Sequence, residues 1–315
     1  MIKLSAGTAH VLGLKKLTTD ALPTTAYMML GEKCSHDCGF CPQARNSSGR
    51  ADLLSRVTWS EAVAEDVIEV LAAAYQKGSL KRACLQVVDS AAALSQIKLT
   101  ASKIKSSSDI PLCVSAKVKN KEEMLELAEA GVDRIGLALD AACERVFKLT
   151  KTGSWEHTLG QIEEAAQILP SRISTHLIVG LGETEQEMVA MLQKMHELQV
   201  TVGLFAFTPV PGTKMAIAKP PELSHYRRMQ AAHYLISKGY IKVTDCKFSA
   251  GQLIDYGLSR EQLAEYLKAG KAFETSGCAD CNRPYYNEKP GGTIYNYPRP
   301  LTAQEINKAL DLLPG

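Results

Sequence analysis

The chain contains no run of the roughly 18 unbroken apolar residues that a membrane-crossing helix needs, and no basic segment followed by a sustained apolar stretch between Met1 and Leu14. Neither a membrane span nor a secretory signal peptide is expected, and the reading is of a cytoplasmic protein. An excess of charge of either sign is also missing: 36 Lys and Arg stand against 34 Asp and Glu, a formal net charge of +2. Without a broad basic field, nucleic acid and an anionic membrane are not expected partners, and a small molecule or a protein substrate fits better. Solenoid repeats and low-complexity tracts are lacking as well. What is present is 315 residues, 45% hydrophobic, enough to bury a full core in one large domain or two smaller ones. Nine cysteines in a chain with no sign of secretion point to metal ligation or thiol chemistry rather than to disulfides, so their positions matter more than their number.

From about residue 25 one grammar recurs, in which a short apolar run gives way to a polar loop and then to an amphipathic stretch with helix signals. The runs Thr25–Met29, Ala83–Val88, Leu112–Ser115, Arg134–Leu139, Ile173–Val179, Val202–Phe207, Tyr240–Val243 and Ala272–Thr275 predict eight strands. Strands alternating with helices in this number predict an α/β fold, a (β/α)8 barrel of the TIM type. Thr58-Trp59-Ser60-Glu61 has the capping-box pattern and predicts a helix running to Leu71. Asn120, with Gly131 as the closing residue, and Thr184-Glu185-Gln186-Glu187 predict two more helix starts. After Cys281 the residues Pro284, Pro290, Gly291, Gly292, Pro298 and Pro300 break regular structure until a short helix near Gln304–Leu313. The expected division is an N-terminal extension over 1–24, the barrel over 25–281 and an irregular C-terminal extension over 282–315.

In a barrel of this type the chemistry sits on loops after the strands. Cys34, Cys38 and Cys41 follow the first run, Cys246 the seventh, and Cys278 and Cys281 the eighth, so all six are expected at one mouth. Gly31-Glu32-Lys33-Cys34-Ser35-His36-Asp37-Cys38-Gly39-Phe40-Cys41-Pro42-Gln43 puts three thiols on one short loop. Three such thiolates can ligate three irons of a cubane and leave the fourth without a protein ligand. A zinc knuckle or a chance group of buried thiols is the bland alternative.

The C-x3-C-x2-C spacing with Phe40 before the last cysteine resembles the signature of the radical S-adenosylmethionine superfamily, and Asp37-Cys38-Gly39-Phe40-Cys41-Pro42-Gln43 resembles the cluster loop of biotin synthase. The resemblance covers about residues 25–280. It implies a [4Fe-4S] cluster on Cys34, Cys38 and Cys41 whose open iron takes S-adenosylmethionine, cleaved by one electron to a 5′-deoxyadenosyl radical that removes hydrogen from an unactivated carbon. It further implies an adenine site along Ile178-Val179-Gly180-Leu181-Gly182-Glu183, with Ile178, Gly180 and Gly182 as contacts, and a ribose contact at Asp140. An asparagine expected two residues earlier is Ala138 here. A βα turn needing glycines and a plain helix cap remain the structural readings of these two features. Phe207-Thr208-Pro209-Val210-Pro211-Gly212-Thr213 resembles the sixth-strand loop of the superfamily.

Biotin synthase holds a second, sacrificial cluster on three cysteines and an arginine, and only Cys84 and Cys113 match that set; the third position is Ser174 and the arginine is Lys247. Cys246 with the pair Cys278-Ala279-Asp280-Cys281 is the expected compensation, a second [4Fe-4S] cluster. A redox couple or a zinc half-site is its alternative. Cys84 and Cys113 are either further ligands or small buried hydrophobes, and Cys143 is read as structural. A barrel like biotin synthase with a differently held second cluster resembles a subunit of the two-component lipoyl synthase type. This implies insertion of sulfur into an octanoyl-lysyl group of a lipoyl-carrier protein or its peptide, with a related second subunit and a ferredoxin- or flavodoxin-type reductant as partners. Sulfur insertion into dethiobiotin, a radical mutase or C–C bond enzyme with one cluster, and a non-catalytic iron–sulfur scaffold are the other readings.

Overall fold

A computed structural model describes residues 1–19, 21–288 and 291–314, so the expectation at Pro290 lies outside the described residues. Strand β1 (Ile2–Ser5) and helix α1 (Ala6–Val11) lead into β2 (Thr25–Leu30), β3 (Leu53–Leu54), β4 (Val57–Ala62) and α2 (Ala64–Gln76). Then follow β5 (Arg82–Val87), α3 (Ala93–Ser107), β6 (Leu112–Ser115), α4 (Lys121–Glu129), β7 (Arg134–Gly136), α5 (Glu144–Thr150), α6 (Trp155–Ile168), β8 (Ile173–Val179), α7 (Glu185–Glu197), β9 (Thr201–Ala206) and α8 (Leu223–Ser237). A hairpin of β10 (Lys247–Ser249) and β11 (Gln252–Asp255), then α9 (Arg260–Leu267) and α10 (Ala303–Leu310), complete the order.

The main sheet runs β3-β4-β1-β2-β5-β6-β7-β8-β9. Within it β2, β5, β6, β7, β8 and β9 are parallel, each of the last five followed directly by helix, and they form a curled, TIM-type α/β core. The parallel strands are mostly apolar where helices cover them, and every residue of β2 is buried. Ile97, Ala101 and Ile104 of α3 and Met188, Leu192 and Met195 of α7, at helical spacing, supply the outer layer of the core.

The last two expected strands take other forms. Tyr240 is consumed by the end of α8, where Gly239 adopts φ 70 and the Tyr240 N–H donates to the Leu235 carbonyl, a cap that leaves nothing for a sheet. Lys271–Phe273 is a 3₁₀ turn, and Glu274 makes a single bridge with Tyr297. The place of these strands is filled by residues 275–288, an irregular strap between β9 and the start of β2. On one side Ser276 Oγ accepts from Leu204 N and Asn287 Nδ2 donates to Ala206 O; on the other Thr24 N donates to Asn282 Oδ1. The boundary expected at 281 and 282 therefore falls inside one continuous strap.

The capping pattern at Thr58–Glu61 does not start a helix. It lies in β4, paired antiparallel with β1 from Ser5↔Trp59 to Ile2↔Ala62, because Val57, Thr58 and Trp59 favour a pleated, half-buried position and Trp59 buries its ring there. The helix begins at Ala64 instead. Asn120 and Thr184 do cap α4 and α7, the latter with a full capping box, and Gly131 at φ 89 closes α4.

Arg227 ties the C-terminal extension to α8. It is 2% exposed, donates to the carbonyls of Tyr295 and Ile294 and to Gln230 Oε1, and lies over the rings of Phe273 and Tyr297. Replacing it with Met strands the buried Tyr295 carbonyl, at about 1–3 kcal/mol when left unpaired, and removes a second bond to the partly buried Ile294 carbonyl. Arg227→Met is expected to lower the urea midpoint of unfolding clearly, whereas Arg260→Met, at the exposed start of α9, is expected to leave it within error.

Candidate active site

Beyond β2 the chain turns at Gly31, φ 87, where a Cβ would come within 3.1 Å of Val88. The cysteine loop that follows is shaped by its own backbone bonds, Cys34 N to Gln43 O, Cys41 N to Cys38 O and Arg45 N to His36 O. It is also pinned from outside. Gly39 N donates to Thr150 O, Met215 N donates to Gly39 O, and the buried Gln43 amide donates to the carbonyls of Ala51 and Leu53. Gly212, at φ 85, passes so close that a Cβ would lie 2.3 Å from Gly49 N, so the stretch that resembles the sixth-strand loop packs against the end of the cysteine loop.

Burial pushes the Cys41 thiol up to about 12 and raises Cys38 as well, and both feel Cys34 and Asp140. Three soft donors on one loop, with the Cys38 and Cys41 thiols held protonated by burial, fit a site that ionises when a cationic metal group arrives. No three His, Cys, Asp or Glu side chains among the described residues are gathered tightly enough for a single ion, while a cubane takes its thiolates at wider spacing.

A cavity of about 190 Å³ runs from this loop into the barrel, with Phe40, Cys41, Asp140, Ile178, Phe205 and Phe207 among its walls. Gly180 and Gly182 do not line it. Gly180 is a glycine because Pro221 stands 2.9 Å from where a Cβ would be, and the amides of Gly180 and Leu181 are taken by the buried Glu183 carboxylate. Asp140 adopts φ 62 and pairs with Lys151 at 2.6 Å, both side chains buried. Nothing in the sequence singled out Lys151, since a lysine ending a helix looks like a surface cation matching the dipole.

The thiols of the second set do not share the mouth with the first. Cys278 and Cys281 sit at the opposite end of the barrel, where the carbonyls of Asp280 and Ala279 accept from Thr24 and Arg82, next to the starts of β2 and β5. There Cys278 comes within 3.7 Å of Cys113, and Cys84 lies in the field of both strap cysteines. All four thiols open on the same cavity as Cys41, Cys84 and Cys113 from the strand interiors and the other two from the strap. Ser174 lines this end as well. Cys246 is elsewhere. It ends a 3₁₀ turn outside the barrel, its Sγ 3.7 Å from Lys242 O, raised to about 11 by burial and the carboxylates of Asp245 and Asp255, because the seventh expected strand does not form. Lys247 pairs with Asp255 on the same exposed hairpin. Cys143 precedes α5 beside Glu187.

Beside Cys281 stands Arg283, which no spacing rule marked. Its guanidinium is buried, lies 4.3 Å from the Phe205 ring centroid, donates to Ser276 O and reaches Cys281 Sγ at 3.5 Å. Tyr27 OH stands 3.3 Å from the same sulfur and accepts from Arg283 N. No carboxylate among the described residues pairs with Arg283. Cys278 is correspondingly drawn toward the thiolate, by its hydrogen bond with Cys113 first and then by Arg82, Arg134 and Arg283. His176, on β8, is a neutral ring between the two ends, held down to about 4 by burial.

The profile of the radical SAM superfamily matches residues 28–195, more than half of the chain. The chain belongs to that superfamily. Relatives include the biotin synthase of Magnetococcus marinus, 27% identical over 53% of this chain and 50% of its own length, and that of Desulforudis audaxviator, 29% identical over 65% and 62%. The chain thus spans between half and two thirds of these curated relatives. Among solved structures, the FeFe-hydrogenase maturase HydG of Carboxydothermus hydrogenoformans superposes with TM-score 0.55 at 16% identity, over 91% of this chain and 65% of that one. Methylornithine synthase (PylB) superposes with 0.53 at 13%, over 68% and 62%. At such identities the likeness concerns the fold. As a radical SAM enzyme, the chain is implied to use S-adenosylmethionine and a [4Fe-4S] cluster.

Replacing Cys34, Cys38 or Cys41 singly by Ala is expected to abolish 5′-deoxyadenosine formation under reducing conditions; cleavage surviving in the triple variant would contradict the assignment. The raised thiols also set a pH dependence. Cys41 and Cys84 sit at about 12 when folded against about 9 when unfolded, so their contribution is whole below the unfolded value and lost as pH rises toward the folded one. The urea midpoint of the metal-free protein is expected to fall between about pH 8 and pH 10, less steeply in the Cys41→Ala, Cys84→Ala double variant.

Proposed function

We propose that this radical SAM enzyme inserts sulfur into an unactivated C–H bond, and that the finer substrate is an octanoyl chain on a lysine of a lipoyl-carrier protein. The observation that carries the sulfur step is the convergence of Cys84, Cys113, Cys278 and Cys281, with Arg283 among them, on the cavity that Cys41 also lines. Four thiols suit an auxiliary [4Fe-4S] cluster, and the buried Arg283 cation without a carboxylate favours their ionised, metal-bound state. Bound together, the two clusters and S-adenosylmethionine would supply a hydrogen-abstracting radical and a sulfide source.

This chain's residues do the rest. Phe40, Phe205, Ile178 and Phe207 keep the space between the two ends dry and suited to an aliphatic chain. Asp140 is the group that would meet the ribose, Ile178 lies along the adenine side, and the strap holds the donor cysteines against β5 and β6. Gly180 and Gly182 shape the turn rather than touch the nucleoside. Insertion into dethiobiotin is the second reading, favoured by the biotin synthases among its relatives. A related second subunit and a small electron-carrier protein complete the proposed system.

Anaerobic reconstitution is expected to yield about eight irons per chain for two [4Fe-4S] clusters and about four in a Cys278→Ala, Cys281→Ala variant. That variant should still cleave S-adenosylmethionine but deliver no sulfur to an octanoyl-lysyl peptide, and Cys246→Ala should retain both iron populations. Zinc at the strap site, or sulfur transfer that survives the loss of these cysteines, would overturn the sulfur-donor assignment. A product from dethiobiotin and none from the octanoyl peptide would select the second reading.

A further inference from the structure

Three consecutive residues at the C-terminal end of α5 touch both halves of the proposed cofactor site. Lys151 carries its ammonium into the interior, 9% exposed, where it donates to the Ala138 carbonyl at 2.6 Å and to Asp140 Oδ2 at 2.6 Å. It does not line the cavity; Asp140 does. The residues on either side hold the cysteine loop. Thr150 O accepts from Gly39 N at 2.7 Å, Thr152 Oγ1 accepts from Asp37 N at 3.0 Å, and the Thr152 backbone N–H faces the Cys38 thiol.

We propose that Lys151 is a positioning residue for S-adenosylmethionine, and that Thr150-Lys151-Thr152 sets the spacing between the iron end of that cofactor and its nucleoside end. The case rests on the geometry and on the reading of Asp140 as the ribose contact. A carboxylate that must accept from two ribose hydroxyls needs one fixed orientation, and Asp140 sits on a left-handed backbone position that does not supply it cheaply. The ammonium behind it does, because one Lys151 proton holds Oδ2 and another is anchored on a carbonyl of the same strand end. An apolar side chain would fill the space equally well, but it would leave the Asp140 carboxylate buried without its cation. Because the flanking threonines grip the segment from Asp37 to Gly39, a shift at Lys151 moves the nucleoside site relative to Cys38 rather than moving both together.

The test is equilibrium binding of S-adenosylmethionine to the reconstituted protein, read with iron content and the electron paramagnetic resonance spectrum of the reduced cluster. Lys151→Met is expected to keep the loop iron and weaken binding about tenfold, the size of one misplaced charge-assisted hydrogen bond. Lys151→Arg should recover part of that loss. Combined with Asp140→Ala, Lys151→Met should add little, since both act through one contact. Thr152→Val, which keeps the pair, should alter the cofactor-induced change in the cluster spectrum. An iron-replete Lys151→Met protein that binds like the parent, or losses that add in full, would overturn the proposal. If Asp140→Ala itself leaves affinity unchanged, the ribose assignment fails instead. Should Lys151→Met lose its iron, Lys151→Gln, which keeps a donor without the charge, gives the decisive comparison: parent-like affinity in it would also overturn the role of the ammonium.

Discussion

A parallel sheet that stops at six strands has an edge, and an edge strand presents N–H and C=O groups that must be paired once they are buried. Here the edge is β9, and its bonds go to side chains rather than to another strand: Ser276 to Leu204 N, Tyr226 to Leu204 O and Asn287 to Ala206 O. The strap that provides two of these groups is the same segment that carries Cys278, Cys281 and Arg283. Closing the barrel and furnishing its lower end with thiols are therefore one structural event. The irregular backbone this requires, with Asp280, Arg283 and Tyr285 at positive φ, is held by contacts to Thr24, Tyr27 and Ser55 across the gap.

Charge follows the same division. At the upper end the ion pair of Lys151 and Asp140 is complete within the chain, so this site is balanced before any cofactor arrives. At the lower end Arg283 has only neutral acceptors and sulfur, and Arg82 leaves its buried Nε without a partner among the described residues. Buried cations of this kind raise the free energy of a neutral-thiol state and lower that of a thiolate state. The two ends thus differ in charge, with a paired carboxylate above and cations that face thiols without a carboxylate below.

Much of this was legible from spacing. The three cysteines of one short loop, the βα succession up to β9, the caps at Asn120 and Thr184, and the placing of Asp140 and Ile178 at strand ends all depend on local chemistry that a linear pattern carries. The pattern at Thr58–Glu61 misled because a capping box and an exposed strand edge use the same residues, and pairing with β1 decided between them. Gly180 is different again: its lack of a side chain answers to Pro221, forty-one residues on, which no local pattern carries.

By itself the sequence determined the α/β class, the three-cysteine loop of Cys34, Cys38 and Cys41, and the presence of a further set of thiols, since each rests on residues close together in the chain. Only the tertiary structure decided which thiols belong together. Cys246 is 32 residues from Cys278 and was expected beside it, whereas Cys113, 165 residues away, is the neighbour at 3.7 Å. The same holds for Lys151 behind Asp140 and Arg283 beside Cys281. The physical reason is that the strap crosses a gap no periodicity describes, so the partners of its side chains are set by where the sheet ends rather than by any interval along the chain.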